Sequence, residues 1–194
     1  MTYNKTLLAV VIGSAALLGS AQLAAEPTAE MMAATCAGCH GPEGRSTGPA
    51  TPTLAGYSEG YFIDSMIGFK EGERQGTIMN RIAKGYTEEQ IESMATYFAE
   101  QPVYMAKQNT DAAKVAQGAE IYENGCAKCH DENGALPDDD AGILAGQILP
   151  YLHYSIEDFQ AERRYQPKKM AKQLSALSPG EIDAVLQFFA SQQP

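Results

Sequence analysis

Positive charge and long apolar runs are scarce in this 194-residue sequence. Lys and Arg number 14 against 24 Asp and Glu, which gives a formal net charge of -10. Such an acidic chain argues against nucleic acids and anionic membranes as partners, because both carry negative charge. After residue 25 no apolar run approaches the length needed to span a membrane. Tryptophan is absent, which by itself excludes nothing.

Cysteine and histidine are also few, and their positions are informative. The sequence has four cysteines and three histidines. All four cysteines and two of the histidines fall in two short motifs, at 36–40 (Cys-Ala-Gly-Cys-His) and at 126–130 (Cys-Ala-Lys-Cys-His). This spacing is typical of c-type haem attachment. Two thiols on one helical turn can bond one edge of the macrocycle, and the histidine that follows can ligate the iron. The sequence therefore predicts two covalently bound haem c groups, held by Cys36 and Cys39 and by Cys126 and Cys129.

Paired cysteines have other uses, and three alternatives stand beside haem attachment. They are a dithiol redox site, a zinc site and a disulfide framework. The two motifs lie far apart for a compact zinc module. A chain of this length can bury a sizeable core without disulfides. The histidine that follows each pair favours haem.

The first 25 residues have the pattern of a secretory signal peptide. Lys5 is their only charged residue, an apolar run follows it at 7–18, and small residues lead to a cleavage site after Ala25. A retained membrane anchor is the alternative, but the run is short for a membrane span. We therefore expect an exported, periplasmic protein with no membrane span in the mature chain, a compartment that suits covalent haem attachment.

The two motifs belong to an internal repeat, which sets the domain organisation. A step of 90 positions links Cys36 to Cys126, and after a one-residue insertion the step becomes 91. Further pairs at these steps are 54–56 with 144–146, Tyr61 with Tyr151, Phe69 with Phe159, Arg74 with Arg164, Ile91 with Ile182, Phe98 with Phe189 and Gln101 with Gln192. We predict a signal peptide at 1–25 and two tandem haem domains at 26–104 and 105–194.

Each copy is predicted to be all-α, because apolar residues recur at helical spacing and no stretch alternates as a strand would. One helix leads into each motif, at 28–36 and 112–126. A second helix covers 60–69 and 150–163. The third begins after capping residue Thr87 or Ser178. Its predicted buried face is Ile91, Met94, Ala95 and Phe98 in the first copy, and Ile182, Val185, Leu186 and Phe189 in the second.

The repeat also predicts the two iron ligands of each haem. His40 and His130 follow the cysteines directly, and a methionine lies 39 positions after the first histidine and 40 after the second, at Met79 and Met170. A methionine ligand opposite the histidine fills the sixth coordination position of the iron and raises its reduction potential, which suits one-electron transfer. We therefore predict His/Met ligation in both domains.

Other residues compete for these roles. Met66 and Met94 lie at helical core spacing and are expected to pack in the core. His153, the remaining histidine, is the rival ligand for the second iron, although a helix-surface or interdomain position is expected for it. The loop carbonyls of Pro49 and Pro52 are candidate acceptors for the other ring nitrogen of His40. Pro137 is the candidate for His130. The one basic patch, with no role assigned, comprises Arg163, Arg164, Lys168, Lys169 and Lys172.

Several segments extend this pattern over the whole mature chain. They include 26–31 (Glu-Pro-Thr-Ala-Glu-Met), 77–79 (Thr-Ile-Met), 81–86 (Arg-Ile-Ala-Lys-Gly-Tyr), 143–147 (Ile-Leu-Ala-Gly-Gln) and 168–171 (Lys-Lys-Met-Ala). With the two motifs, the chain resembles the dihaem c-type cytochrome subunit of flavocytochrome c sulfide dehydrogenase. The resemblance implies two tandem class I cytochrome c-like domains with no flavin on this chain. It also implies a periplasmic heterodimer with an FAD-containing flavoprotein that oxidises sulfide, from which this chain accepts electrons for a soluble redox acceptor.

Two other classes of function remain open. The main alternative is a free periplasmic dihaem shuttle cytochrome c that serves a terminal oxidase or another reductase. The third class is an enzyme, such as a dihaem peroxidase or a thiosulfate dehydrogenase. Such an enzyme needs an accessible or differently ligated haem, so methionine at both sixth positions argues against it. We therefore expect no catalysis by this chain on its own.

Overall fold

The structure, a computed structural model, describes residues 26–193, and within that range it contains helices and no strands. This confirms the predicted all-α fold, while the predicted signal peptide lies outside the described residues. The N-terminal half contains α1 (Ala29–Ala34), α2 (Ala37–His40), α3 (Glu59–Glu71), α4 (Met79–Ile82) and α5 (Glu88–Ala99). The C-terminal half contains α6 (Ala112–Gly125), α7 (Asp131–Gly134), α8 (Leu149–Gln160), α9 (Lys168–Ser175) and α10 (Pro179–Ser191). Short 3₁₀ turns lie at Pro42–Gly44 and Ala83–Gly85.

The third helix of each copy begins as predicted. Thr87 caps α5 and Ser178 caps α10, and each forms a capping box with the residue three positions on, Gln90 and Glu181. These reciprocal bonds satisfy amide groups that the first helical turn leaves unpaired. Both predicted faces are buried: Ile91, Met94, Ala95 and Phe98 on α5, and Ile182, Val185, Leu186 and Phe189 on α10.

The N-terminal core forms where α5 packs against α1 and α3. The rings of Phe62 and Phe98 lie with their centroids 5.3 Å apart at its centre. Met66 on α3 and Met94 on α5 are buried in the same cluster, as expected of packing methionines. Ile143 belongs to this cluster although it lies in the C-terminal half of the sequence. The first core is therefore completed by the second half of the chain.

The C-terminal core depends on a close contact between α6 and α10. Gly118 on α6 faces Ala184 on α10, and a Cβ at Gly118 would collide with the carbonyl oxygen of Ala184. The aromatic side chains of Tyr122 and Phe188 pack beside this crossing, with ring centroids 5.0 Å apart. The glycine thus allows the two helix backbones to approach closely.

The repeat is visible in the loop hydrogen bonds as well as in the helices. The carbonyl of Gly44 accepts a 2.8 Å bond from the amide of Leu54, and the same bond joins Leu144 to Gly134 at 2.8 Å. Gly44 and Gly134 both have positive φ and contact a buried phenylalanine, so a side chain would not fit there. These turns fold each loop back over the core beside its motif.

The two halves meet along a contact that we call the interdomain surface, defined by Thr53, Tyr57 and Tyr61 on one side and Gln147 and Tyr151 on the other. The amide of Thr53 donates a 2.8 Å bond to Gln147 Oε1. Gln147 Nε2 donates to Tyr57 Oη at 3.1 Å. Thr53, Tyr57 and Gln147 are all buried. Over residues 26–193 no helix has the length and apolar character to cross a membrane.

Candidate haem sites

Each motif forms one helical turn that brings its cysteines to the same side. In the N-terminal half the amides of Cys39 and His40 donate to the carbonyl of Cys36, at 3.1 and 2.9 Å. The second motif has the same two bonds, from Cys129 and His130 to Cys126, at 3.1 and 3.0 Å. Positions three and four apart on such a turn lie on one face. The geometry therefore suits two thioether bonds with a histidine beside them.

The state of the four thiols bears on the alternatives to haem. All four cysteines are free, so the disulfide interpretation fails for this structure. In the described part of the chain, the His, Cys, Asp and Glu side chains form no cluster suited to a metal ion, which argues against zinc. Burial raises the pKa of Cys36 and of Cys126, so both are protonated at neutral pH, unlike the thiolates of dithiol redox sites.

His40 is oriented by the loop that follows its motif. Its Nδ1 lies 2.8 Å from the carbonyl oxygen of Pro52, which can only accept, so Nδ1 carries the proton. Burial lowers the pKa of His40 and the bond to Pro52 partly offsets that effect, which leaves a neutral ring. Its Nε2 then keeps a lone pair for a metal. Of the two predicted acceptors, Pro52 makes the bond.

His130 lacks the corresponding bond. Its Nδ1 is buried and has no hydrogen-bond partner among residues 26–193, so Pro137 does not supply the expected acceptor. Gly142 occupies the repeat position of Pro52. The backbone after His130 also differs from that after His40, because Glu132, which has positive φ, occupies the repeat position of Pro42. Tyr122 Oη donates to the carbonyl of His130 at 2.8 Å and accepts from the amide of Asn133 at 2.9 Å. The hydroxyl of Tyr122 thus fixes the turn at 130–133 without providing an acceptor for His130 Nδ1.

Met79 is the first residue of α4 and is partly buried against the N-terminal core. The loop before it is fastened by Asn80, whose Oδ1 accepts from the amide of Gly76 at 2.6 Å. Asn80 Nδ2 donates to the carbonyls of Phe69 and Arg74, at 2.7 and 2.8 Å. Asn80 therefore sets the course of the chain that presents Met79. The sequence prediction did not single out this asparagine.

Met170 and His153 were the two candidates for the sixth position of the second haem. Met170 lies on α9, directly after the break at Pro167, and packs against the C-terminal core. His153 lies on the surface of α8, and its Nε2 is 3.1 Å from Asp183 Oδ1. Lys114 contacts the same carboxylate. This contact between α6, α8 and α10 accounts for His153 without an iron.

Two repeat-related arginines reach across the interdomain surface in opposite directions. Arg74 donates to Tyr151 Oη at 3.1 Å, and Arg164 donates to Tyr61 Oη at 3.4 Å. Each guanidinium also lies over a phenylalanine of its own half, at 4.7 Å from the Phe69 centroid and 4.2 Å from the Phe159 centroid. The basic patch therefore splits: Arg164 makes an interdomain contact, while Arg163 pairs with Asp158 at 2.7 Å.

No carboxylate within residues 26–193 lies in ion-pair distance of Arg74 or Arg164, so their charges act on the neighbouring phenols. Burial raises the pKa of Tyr61, but the two arginines outweigh that effect and lower it to about 8. The pKa of Tyr57 is raised well above its ordinary value by burial. The interdomain surface thus concentrates positive charge in an otherwise acidic protein.

Comparison with known families places both halves among c-type cytochromes. Residues 25–101 match the family model described as Cytochrome c, and residues 113–189 match the model described as Cytochrome C oxidase, cbb3-type, subunit III. With the Cys36/Cys39 and Cys126/Cys129 pairs, these matches indicate two covalent haem c groups. The donor set fits that cofactor, because each half offers two free thiols and a neutral histidine.

Individual relatives support the same architecture. Cytochrome c4 of Pseudomonas aeruginosa is 30% identical over 172 residues, which cover 83% of this chain and 84% of that protein. The cytochrome subunit of sulfide dehydrogenase of Chlorobaculum tepidum is 44% identical over 73 residues, covering 38% of this chain and 66% of that protein. The crystal structure of reduced recombinant cytochrome c4 from Pseudomonas stutzeri matches with a TM-score of 0.75 at 24% identity, covering 85% of this chain and 97% of that one. The last likeness confirms the predicted fold of two class I cytochrome c domains.

Proposed function

Because the chain belongs to the dihaem c-type cytochromes, in the family of cytochrome c4, we propose that it is the electron-transfer subunit of a sulfide dehydrogenase. The chain is a dihaem electron-transfer cytochrome, and the proposal concerns its donor. That donor is an FAD-containing flavoprotein subunit that oxidises sulfide and forms a heterodimer with this chain. The observation that carries the proposal is the 44% identity over 73 residues to the sulfide dehydrogenase cytochrome subunit of Chlorobaculum tepidum.

The chain's own residues would hold each cofactor in a closed site. Each haem, when bound, supplies a one-electron centre whose potential depends on its axial ligands. The neutral ring of His40, anchored by the carbonyl of Pro52, presents Nε2 as a ligand. A methionine thioether as the second ligand would leave no open position for a substrate, so we infer no catalysis by this chain alone. The proposed axial ligands are His40 and Met79 in the N-terminal half, and His130 and Met170 in the C-terminal half.

We also infer the domain boundaries and the location of the protein. Two hydrophobic clusters, one drawn from the N-terminal half apart from Ile143 and one from the C-terminal half, support domains at 26–104 and 105–194. The signal-peptide pattern of residues 1–25 supports export to the periplasm. In that compartment the chain would meet a soluble redox acceptor.

The second candidate function is a free dihaem shuttle that serves a terminal oxidase or another reductase. The match to cytochrome c4 of Pseudomonas aeruginosa favours it, because that match runs over most of both chains. The two functions share the same haem sites and differ in the partner. Partner status therefore separates them.

The test is purification from the native host with a tag on this chain at its natural abundance. A sulfide dehydrogenase subunit should copurify with a flavoprotein at one FAD per two haems, and added sulfide should reduce the haems of that complex. Thiosulfate serves as the control donor and should not reduce them. A free monomer without flavin that sulfide leaves oxidised would reject the subunit proposal and favour the shuttle.

A further inference from the structure

One hydrogen-bond chain connects His40 to the other half of the protein. His40 Nδ1 donates to the carbonyl of Pro52 at 2.8 Å. That carbonyl and the amide of Thr53 belong to the same peptide unit. The Thr53 amide donates in turn to Gln147 Oε1 at 2.8 Å. A single planar peptide therefore lies between the histidine of the first motif and a side chain of the C-terminal half.

Gln147 is fixed in the orientation that this chain requires. The residue is 2% exposed, and its Oε1 also accepts from the amide of Ile148 at 3.0 Å. Its Nε2 donates to the carbonyl of Thr53 and to Tyr57 Oη, both at 3.1 Å. Because the Thr53 amide can only donate and the Thr53 carbonyl can only accept, the amide of Gln147 has one orientation that satisfies both. Both polar atoms of the Gln147 side chain are therefore paired.

Such a chain affects the histidine through polarisation. The peptide bond is a resonance hybrid, so an acceptor on its N–H makes its carbonyl more negative. Hydrogen bonds in series strengthen one another, by roughly 10–30% per bond. A stronger acceptor on Nδ1–H makes the imidazole a better electron donor through Nε2. A more basic axial ligand favours oxidised iron and lowers its reduction potential.

The second half has no equivalent chain. Gly142 and Ile143 occupy the repeat positions of Pro52 and Thr53, and His130 Nδ1 has no partner among the described residues. Ile143 is buried in the first core, and Tyr57 occupies the repeat position of Gln147. The effect of Gln147 should therefore be confined to one of the two haems.

We propose that Gln147 is a positioning residue for His40, acting across the interdomain surface through the Pro52–Thr53 peptide. The C-terminal half thereby lowers the reduction potential of the N-terminal haem. The comparison is with the same haem when the Thr53 amide makes no bond to Gln147. This inference rests on the proposed role of His40 as an axial ligand.

The test compares Gln147→Leu with Ser58→Ala in the full-length dihaem protein. Ser58→Ala removes another bond between the halves, from Ser58 Oγ to the carbonyl of Asp138 at 2.9 Å, together with the cap that Ser58 provides for α3. It changes no member of the His40 chain. Haem-methyl NMR resonances followed during a redox titration report the two potentials separately. Gln147→Leu should raise the N-terminal potential, so that the reduced-to-oxidised ratio of that haem rises several-fold at a fixed ambient potential. The C-terminal potential should not change.

A second readout separates this role from general loosening of the contact. In the reduced protein the Nδ1 proton of His40 should move upfield in Gln147→Leu, as expected for a weaker hydrogen bond, and stay in place in Ser58→Ala. If Gln147→Leu does not fold, Tyr57→Phe removes one anchor of Gln147 and should give a smaller shift in the same direction.

Three outcomes would overturn the inference: an unchanged N-terminal potential, an equal change at both haems, or the same change in Ser58→Ala. Failure of the proposed function would give different results from these three outcomes. If His40 does not ligate the iron, the wild-type protein itself lacks the NMR signature of an axial histidine at residue 40. If no flavoprotein partner exists, the purification test fails while the effect of Gln147 on the potential persists.

Discussion

The two halves of the chain share one plan but treat their histidines differently. His40 donates to the carbonyl of Pro52, and that bond continues to Gln147. His130 has a buried Nδ1 with no partner in the range 26–193, and Tyr122 holds its backbone instead. The attachment turn is thus the same in both copies, while the surroundings that adjust ligand strength are not. Two haems on nearly identical motifs can therefore differ in potential.

The halves also differ in how they close their cores. The helix before the first motif, α1, has 6 residues, whereas its counterpart α6 has 14 and packs along α10. The N-terminal core instead takes in Ile143 from the other half. The C-terminal core is thus closed by the long pair α6 and α10, whereas the N-terminal core adds one residue of the other half to the packing of α1, α3 and α5.

The largest effect is expected from replacing the proposed methionine ligands. Met79→Ala and Met170→Ala should each remove the sulfur ligand from one of the two irons. Each variant should therefore lose about half of the far-red sulfur-to-iron absorption of the oxidised protein, and the reduction potential of one haem should fall. Met94→Leu, a volume-conserving change in the core, should keep the band. A full band in either alanine variant would reject that ligand.

Packing in the C-terminal half should respond to Gly118→Ala. The added Cβ collides with the backbone of Ala184, so the free energy of unfolding should fall by about 1–3 kcal/mol. Gly180→Ala on α10 is the matched control, because its Cβ meets open space and alanine is the better helix former. Chemical denaturation measures both. Equal stability of the two variants would contradict the close approach of α6 and α10.

The charge of the interdomain surface predicts an early tyrosine titration. Tyr61, with a pKa of about 8, should lose its proton below the ordinary range for a tyrosine, and Arg164→Gln should raise that pKa. Because the folded pKa lies below the unfolded value of about 10, this group adds stability as pH rises from about 8 to 10 and loses it as pH falls through 8. NMR of ¹³Cζ-labelled tyrosine follows the titration, with Tyr61→Phe as the assignment control. A Tyr61 resonance that stays constant to pH 10 would refute this charge balance.

The smallest effect is expected from His153→Ala. The side chain is 40% exposed and contacts Asp183, so its removal should leave the haem spectra unchanged. A change in the spectrum of the C-terminal haem would instead support His153 as its ligand. Absorbance and NMR spectra of the oxidised variant, compared with those of Met170→Ala, decide between the two residues.

Features that depend on local sequence were predictable from it, whereas features that depend on packing between the two halves were not. The motifs, the capping residues Thr87 and Ser178 and the buried faces of α5 and α10 depend on neighbours within a few positions. The contact of Gln147 with Thr53 joins positions 94 apart and depends on how two domains pack. Gly142 in place of Pro52 signalled a different second loop, but spacing alone could not show that His130 would lack an acceptor.

The crossed contacts of Arg74 with Tyr151 and of Arg164 with Tyr61 form a two-fold arrangement within one polypeptide. Residue i of one copy meets residue j of the other, and j meets i, which is the geometry of a symmetric homodimer. Covalent fusion keeps that geometry while freeing each side to change separately. Gln147 opposite Tyr57 marks where the symmetry has been broken. Two electron carriers that began as equivalent copies can in this way come to differ in reduction potential, so that one donates electrons to the other.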